Sequence, residues 1–187
     1  MKRLFIAIQI EPDPELIKLV ETLKSKLRHD RITWINTNNL HLTLKFIGET
    51  NEEFVEAITI AMQKAASTIN PFEIRFDKLG LFGSSYDPRV IWIGSIQLNE
   101  AVNRLGENVL NELNSIGFKR DRQNFVSHLT IGRIKELSDK SYFQDVIKSQ
   151  PQIIFQTLLV KKIILFESIL RREGPIYKEI SVVELKG

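Results

Sequence analysis

The sequence predicts an α+β fold built from antiparallel sheets, and three observations lead to this class. Short segments that alternate apolar and polar residues, as half-buried strands do, are interspersed with segments whose apolar residues recur at helical spacing. The connections between these segments are short, which favours antiparallel pairing. A histidine–apolar–threonine–apolar pattern occurs at 41–44 and again, 87 positions later, at 128–131. Since each half supplies one copy, we expect two similar lobes whose copies meet at the centre.

The first half of the chain predicts strands separated by two helices. Asp13 as N-cap and Pro14 at the first helical position begin one helix, which carries an apolar face up to Leu27. Thr50 and Glu53 form a capping box before the second helix. A glycine- and serine-containing segment at 79–88 contains a loop. The expected strands are 3–10, 31–35, 40–46, 72–76 and 89–95.

The second half repeats this order. A helix over 100–116 ends at Gly117, which is placed to adopt the left-handed conformation of a C-terminal cap. The second copy of the pattern lies on a strand over 125–132, and a short helix follows over 138–148. The remaining strands are expected at 153–168 and 176–185. No linker is rich enough in Pro, Gly or Ser to separate independent domains, so residues 1–187 are expected to form one bilobal domain.

Composition restricts the class of protein. The chain has 187 residues, no cysteine and a net charge of +3 with a pI near 9.1, which excludes disulfides and thiolate catalysis and suits an anionic partner. Basic residues cluster at 119–122 and at 171–172. No signal peptide and no membrane-spanning run is evident, so we expect a cytoplasmic protein without a membrane partner, and a monomer.

The two copies carry the chemistry. On a strand, His41 and Thr43 emerge on one face, and so do His128 and Thr130; the apolar residues between them face a core. Two of only three histidines meet the pattern, which chance would produce on the order of a few times in ten thousand. The third, His29, lies in a charged run and is expected at the surface.

Paired imidazoles can divide acid and base work, since histidine titrates near neutrality. Two imidazoles on opposite sides of one phosphorus would have reactive nitrogens very roughly 6 Å apart, because each must reach its proton at about 3 Å. The two threonine hydroxyls would donate to the non-bridging oxygens. Lys45 shares the face of His41, whereas Arg133 falls on the opposite alternation from His128 and reaches the site only if its strand ends or bends.

Other chemistries fit the sequence less well. Neither copy has a carboxylate or second histidine at metal-ligand spacing, and threonine is a poor zinc ligand, so we expect no metal and no cofactor. There is no glycine-flanked serine elbow and no Gly-rich phosphate loop followed by lysine. Among the aromatic residues, Phe82 and Tyr86 lie in the predicted loop and are the better candidates for stacking on a base.

Beyond the two copies, stretches along nearly the whole chain resemble the RNA 2′,3′-cyclic phosphodiesterases, or 2′-5′ RNA ligase family, of the two-histidine phosphoesterase superfamily. The stretches that carry the resemblance are 3–8, 34, 39–49, 88–94, 117–118, 125–133, 167–168 and 174–177. Many relatives have proline before the second histidine, where this chain has Ser127, and serine allows the same extended backbone.

The resemblance implies a pseudo-twofold bilobal fold around a central basic groove, and metal-independent hydrolysis of RNA 2′,3′-cyclic phosphate ends to 2′-phosphates. It implies that His41 is the proton donor and His128 the proton acceptor, with Thr43 and Thr130 binding the phosphate. Arg133 joins the phosphate-binding candidates on the condition stated above. The expected partner is RNA with a cyclic phosphate end, tRNA fragments being one candidate. Two alternatives stay open: an ATP-independent 2′-5′ ligase that joins tRNA halves, and a non-catalytic RNA-binding module.

Overall fold

The computed structural model describes residues 1–84, 86–120, 125–172 and 174–186, and these form helices and strands in the predicted alternation. The α-helices span Pro14–Lys26 (α1), Val55–Ala66 (α2), Glu100–Ser115 (α3) and Lys140–Lys148 (α4). The strands span Lys2–Gln9 (β1), Arg31–Trp34 (β2), His41–Thr50 (β3), Phe72–Phe76 (β4), Lys78–Gly83 (β5), Pro88–Gly94 (β6), Leu129–Glu136 (β7), Gln156–Val160 (β8), Lys162–Ile169 (β9) and Ile176–Glu184 (β10). The described strand pairs are antiparallel, which confirms the predicted α+β class.

Eight of these strands form one sheet that consists of two four-stranded halves. The order is β10-β9-β1-β3-β7-β6-β5, with β2 also paired to β7, while β4 and β8 form a separate two-stranded sheet. The halves are joined where Leu42 on β3 pairs with Leu129 on β7. The halves exchange strands: the C-terminal β9 and β10 extend the sheet of β1, and the early β2 extends that of β7. Each half of the sheet is therefore built from both halves of the sequence.

The apolar core lies on one face of this sheet. On β1, Leu4, Ile6 and Ile8 are buried in a large cluster to which all four helices contribute apolar residues. Phe5 and Ala7 point to the other face and form a second, small cluster with strand β9. Both faces of β1 are thus covered: the helices pack on one face, and residues of β9, with Tyr177 of β10, pack on the other.

Of the two predicted helix starts, the Thr50–Glu53 capping box is wrong, whereas Asp13 is confirmed as the N-cap residue of α1. Thr50 ends β3 and its hydroxyl donates to the Gly48 carbonyl at 3.1 Å instead of capping a helix. A 3₁₀ turn over Glu52–Phe54 separates it from α2, whose first residue is Val55. Asp13 does precede α1, with Pro14 in the first turn, but its side chain makes no capping hydrogen bond. Side-chain geometry at helix ends is less predictable than the position of the helix, because several local hydrogen-bonding arrangements compete there.

Several strand boundaries also differ from the prediction. Most of the segment expected to contain a loop is strand β5, and the expected strand over 153–168 is two strands, separated at Lys161. Strand β7 begins at Leu129, later than predicted, and continues to Glu136, so His128 lies just before it. Gly117 has a φ of 99°, which confirms the left-handed cap. Residues 121–122 of the predicted basic cluster at 119–122 lie outside the described residues.

Candidate active site

The two copies of the histidine–threonine pattern meet at the junction of the half-sheets. Leu42, between His41 and Thr43, pairs with Leu129, between His128 and Thr130. Both leucines are buried in the large core cluster, so the polar neighbours emerge on the opposite face. Extending this antiparallel pair sets each histidine beside the threonine of the other copy, and the histidines become diagonal neighbours with backbones about 7–8 Å apart. That spacing suits two imidazoles acting on one group between them.

Both imidazoles are held by the same local bond. Nδ1 of His41 lies 2.7 Å from the carbonyl oxygen of Asn39, and Nδ1 of His128 lies 2.8 Å from that of Val126. A carbonyl oxygen only accepts hydrogen bonds, so Nδ1 must carry the proton and donate it. This fixes the tautomer and leaves Nε2 of each ring to exchange a proton with a substrate. In both copies the acceptor is the carbonyl two residues before the histidine.

A bulge in β7 brings Arg133 to the same face as Thr130. Against β6, Gly132 pairs with Ile91 and Thr130 with Trp92, so Ile131 is an additional residue on β7. A bulge of this kind shifts the alternation of side chains by one position. We expected Arg133 to reach the site only if its strand ended or bent, and the bulge provides this irregularity. Arg133 lines the same cavity as His128 and Thr130.

A matching bulge in β3 has the opposite effect on Lys45. Against β1, Thr43 pairs with Ala7 and Lys45 with Ile6, so Leu44 is the additional residue. Lys45 is consequently buried and is absent from the described residues that line the cavity, so the expectation that it shares the face of His41 is wrong. Phe46 takes the corresponding place, five residues after its histidine, as Arg133 is five residues after His128.

The cavity between the half-sheets has a volume of about 600 Å³ and is lined by His41, Thr43, His128, Thr130 and Arg133. It also has lining residues that the sequence argument did not select: Arg3, Phe5, Phe46, Ser168 and Tyr177. A partial signal was present for two of these, because positions 3 and 5 of a strand lie on the face opposite to positions 4, 6 and 8. The contribution of β9 and β10 had no comparable signal.

Aromatic side chains support each imidazole. The ring of His41 lies 4.9 Å from that of Phe5 and meets Tyr177 edge-on at 5.1 Å, centroid to centroid. The ring of His128 meets Phe82 edge-on at 4.8 Å. Phe82 thus packs against the site from β5, while the side chain of Tyr86 is exposed and lies under the Lys140 ammonium, 5.0 Å from the ring. Neither Phe82 nor Tyr86 is among the residues lining the cavity.

Burial and positive charge favour the neutral form of both imidazoles. Burial lowers the pKa of His41 below its ordinary 6.5, and the charges of Arg133 and His128 lower it further, against the Asn39 hydrogen bond. Burial also lowers the pKa of His128, again with help from Arg133. Burial raises the pKa of the Tyr177 hydroxyl. An anion bound between the rings would oppose these effects and restore a proton to one imidazole.

The remaining expectations can be compared with the described residues. His29 is exposed, and Nε of Arg28 donates a hydrogen bond to its Nε2 at 3.2 Å, as expected for a surface histidine. No group of three or more His, Asp or Glu side chains with metal-binding geometry occurs in the described parts of the chain. None of the helices that these residues form is long and apolar enough to cross a membrane.

The fold and the cavity define a phosphoesterase of the two-histidine class. Two antiparallel half-sheets each present a histidine and a threonine to a shared cavity, with an arginine beside them. The family model described as LigT like Phosphoesterase matches the chain twice, over residues 7–92 and 93–177. Each match contains one copy of the histidine–threonine pattern. The chain therefore belongs to the LigT-like phosphoesterase family, and it is a hydrolase of phosphoester bonds.

Individual relatives match over nearly the full length. The RNA 2′,3′-cyclic phosphodiesterase of Archaeoglobus fulgidus is 34% identical over 182 residues, which cover 97% of this chain and 99% of the relative. The protein of the same name from Methanocaldococcus jannaschii is 35% identical over 180 residues, covering 95% and 98%. A solved structure from Thermus thermophilus is 26% identical, with a TM-score of 0.78 over 99% of this chain and 98% of that one.

Proposed function

We propose that the protein hydrolyses 2′,3′-cyclic phosphate ends of RNA to 2′-phosphates without a metal ion, by general acid–base catalysis. The observation that carries this proposal is the pair of imidazoles, each held through Nδ1 by the carbonyl two residues before it and each lining one cavity. The relatives named RNA 2′,3′-cyclic phosphodiesterase supply the substrate class. Binding alone would require no paired imidazoles, and this favours catalysis over a binding module.

The proposed reaction is a single displacement at phosphorus. Nε2 of His128 takes a proton from water, whose oxygen attacks the phosphorus of the cyclic ester. The bond from phosphorus to the 3′ oxygen breaks, and Nε2 of His41 gives its proton to that oxygen. The product carries a 3′ hydroxyl and a 2′-phosphate, and the two histidines have exchanged protonation states. The site is nearly symmetric, so the donor and acceptor roles follow the family resemblance.

Three further side chains stabilise the charge that accumulates on the phosphoryl oxygens. Thr43 and Thr130 donate hydrogen bonds to the non-bridging oxygens, and Arg133 adds a guanidinium whose two donors match a phosphate. None of these roles requires a metal, because the donors and the positive charge come from the protein itself. The bound anion also raises the pKa of His41 from its lowered value, so that the substrate promotes the protonation that the reaction needs.

The test is incubation with an oligonucleotide that ends in a 2′,3′-cyclic phosphate, with EDTA present, followed by identification of the product. A 2′-phosphate end supports the proposal. A 3′-phosphate end would reverse the assignment of the leaving oxygen, and activity that EDTA abolishes and zinc restores would contradict the metal-independent mechanism. Supplying an RNA with a 5′ hydroxyl in the same experiment tests the ligase alternative, which predicts a joined product.

A further inference from the structure

The cavity extends beyond the two histidines to a cluster of hydrogen-bond donors on β1, β9 and β10. Leu4 on β1 pairs with Glu167 on β9, which makes Arg3 and Ser168 neighbours one position farther along the two strands. On the opposite edge of β9, Ser168 pairs with Tyr177 of β10. All three side chains line the cavity. We call Arg3, Ser168 and Tyr177 the Arg3 cluster. It offers a guanidinium and two hydroxyls but no carboxylate, which is the chemistry of an anion site.

Arg3 has no ionic partner within the described residues. The neighbouring Lys2 binds two carboxylates instead, Glu52 at 2.9 Å and Glu167 at 3.1 Å. Glu49 is opposite Arg3 in the β1–β3 register, but it lines a different surface pocket and no ion pair joins the two in the described structure. A guanidinium that borders a cavity without a counterion provides a place for an anionic group of a ligand.

Within the Arg3 cluster, Tyr177 contacts the His41 ring, with 5.1 Å between centroids, but Arg3 itself lies away from the reacting phosphorus. Arg3 is four residues along β1 from Ala7, the partner of Thr43, which corresponds to about 13 Å of strand. The charges agree with this order: Arg133 lowers the pKa of both His41 and Tyr177, whereas Arg3 acts on Tyr177 and is not among the charges that act on His41. Arg3 is therefore placed for a second anionic group, farther from the threonines than the phosphate that reacts.

We propose that the Arg3 cluster binds the phosphodiester on the 5′ side of the terminal nucleotide, so that the enzyme prefers RNA chains to cyclic mononucleotides. This inference rests on the proposed function. A cyclic mononucleotide supplies only the reacting phosphate, while a chain of two nucleotides also supplies a charged linkage. Arg3 then acts as a specificity residue, contributing binding to the longer substrate without touching the reacting atoms.

The experiment compares kcat/KM for three substrates: a cyclic mononucleotide, a dinucleotide with a 2′,3′-cyclic end, and the same dinucleotide with an uncharged methylphosphonate linkage. In the wild type, the dinucleotide should exceed the methylphosphonate analogue by about tenfold, the scale of one charge-assisted hydrogen bond. Arg3→Ala should lower the ratio of kcat/KM for the dinucleotide to kcat/KM for the mononucleotide by a similar factor. On the methylphosphonate analogue, which already lacks the charge, Arg3→Ala should cause little further loss. Arg104→Ala, an exposed arginine on α3, removes the same charge and should leave the ratio unchanged.

The outcomes separate this inference from the proposed function. An equal loss on mononucleotide and dinucleotide, or a methylphosphonate effect that Arg3→Ala leaves intact, overturns the role of the Arg3 cluster. A wild type that hydrolyses none of the substrates overturns the proposed function instead. In that case, the affinities of wild type and Arg3→Ala for a dinucleotide ending in a 2′-phosphate still decide the inference: weaker binding to the charged linkage in the variant supports it, and equal binding overturns it.

Discussion

Replacing Arg133 with alanine tests whether the bulge in β7 positions a charge for the reaction. The guanidinium lines the cavity beside His128 and Thr130, and its charge lowers the pKa of both catalytic candidates. Lys135 is the matched control, because it lies two residues farther along β7, is exposed, and is absent from the described cavity lining. Both substitutions remove one positive charge from the same strand.

The size of the effect follows from the exposure of Arg133. A hydrogen bond to a charged group contributes about 1.5–3 kcal/mol, and Arg133 is exposed to solvent, which favours the lower part of this range. We therefore expect Arg133→Ala to lower kcat/KM for a cyclic phosphate end by about ten- to thirtyfold. Removal of the charge should also raise the pKa of both histidines and move the pH profile of kcat/KM upward.

The assay is steady-state hydrolysis across pH 5–8, with the folded state of each variant checked by circular dichroism. Lys135→Ala should match the wild type in rate and in pH profile. Equal effects of the two substitutions would refute the special position of Arg133. A loss of rate without a shift of the profile would refute the proximity of its charge to the imidazoles.

Three further predictions follow from the same structure. In the wild type, the pKa of His41 is lowered below 6.5, so above pH 7 the protonated fraction of His41 falls about tenfold with each pH unit. The value of kcat/KM should therefore fall about tenfold between pH 7 and pH 8; a constant kcat/KM over this range would contradict His41 as donor. The rate at pH 6 should be the same with and without EDTA, and a chelator-sensitive rate would point to a metal. Gly80→Ala would put a Cβ against the Trp92 ring and should destabilise the fold by about 1–3 kcal/mol in urea denaturation; an unchanged stability would contradict the packing at Trp92.

Sequence periodicity predicted the elements well where one face is uniformly buried. The alternation of β4 and the helical spacing along α1 and α3 correspond to buried side chains in the structure. The repeated pattern likewise indicated which side chains emerge together, because two-residue periodicity is a property of every unbroken strand. His41 and His128 could therefore be selected from the sequence alone.

Strand register could not be predicted in the same way. The bulges at Leu44 and Ile131 cannot be recognised from the residue types in these strands. They nevertheless direct the side chain of Lys45 to the core and that of Arg133 to the cavity. The pairing of β1 with β9 joins residues 4–7 to 164–167, and such distant contacts depend on the whole fold. Hence the sequence did not predict that Ser168 and Tyr177 line the cavity. It also did not predict the carbonyl groups of Asn39 and Val126 that accept hydrogen bonds from the imidazoles.

Single replacement of each pattern histidine is the most direct measurement of the central claim, that two imidazoles act on one phosphorus. On an oligonucleotide with a 2′,3′-cyclic phosphate end, His41→Ala and His128→Ala should each lower the rate by about 10²-fold or more. His29→Ala, at the exposed histidine, should retain the wild-type rate. Near-wild-type rates in both pattern variants would contradict the account.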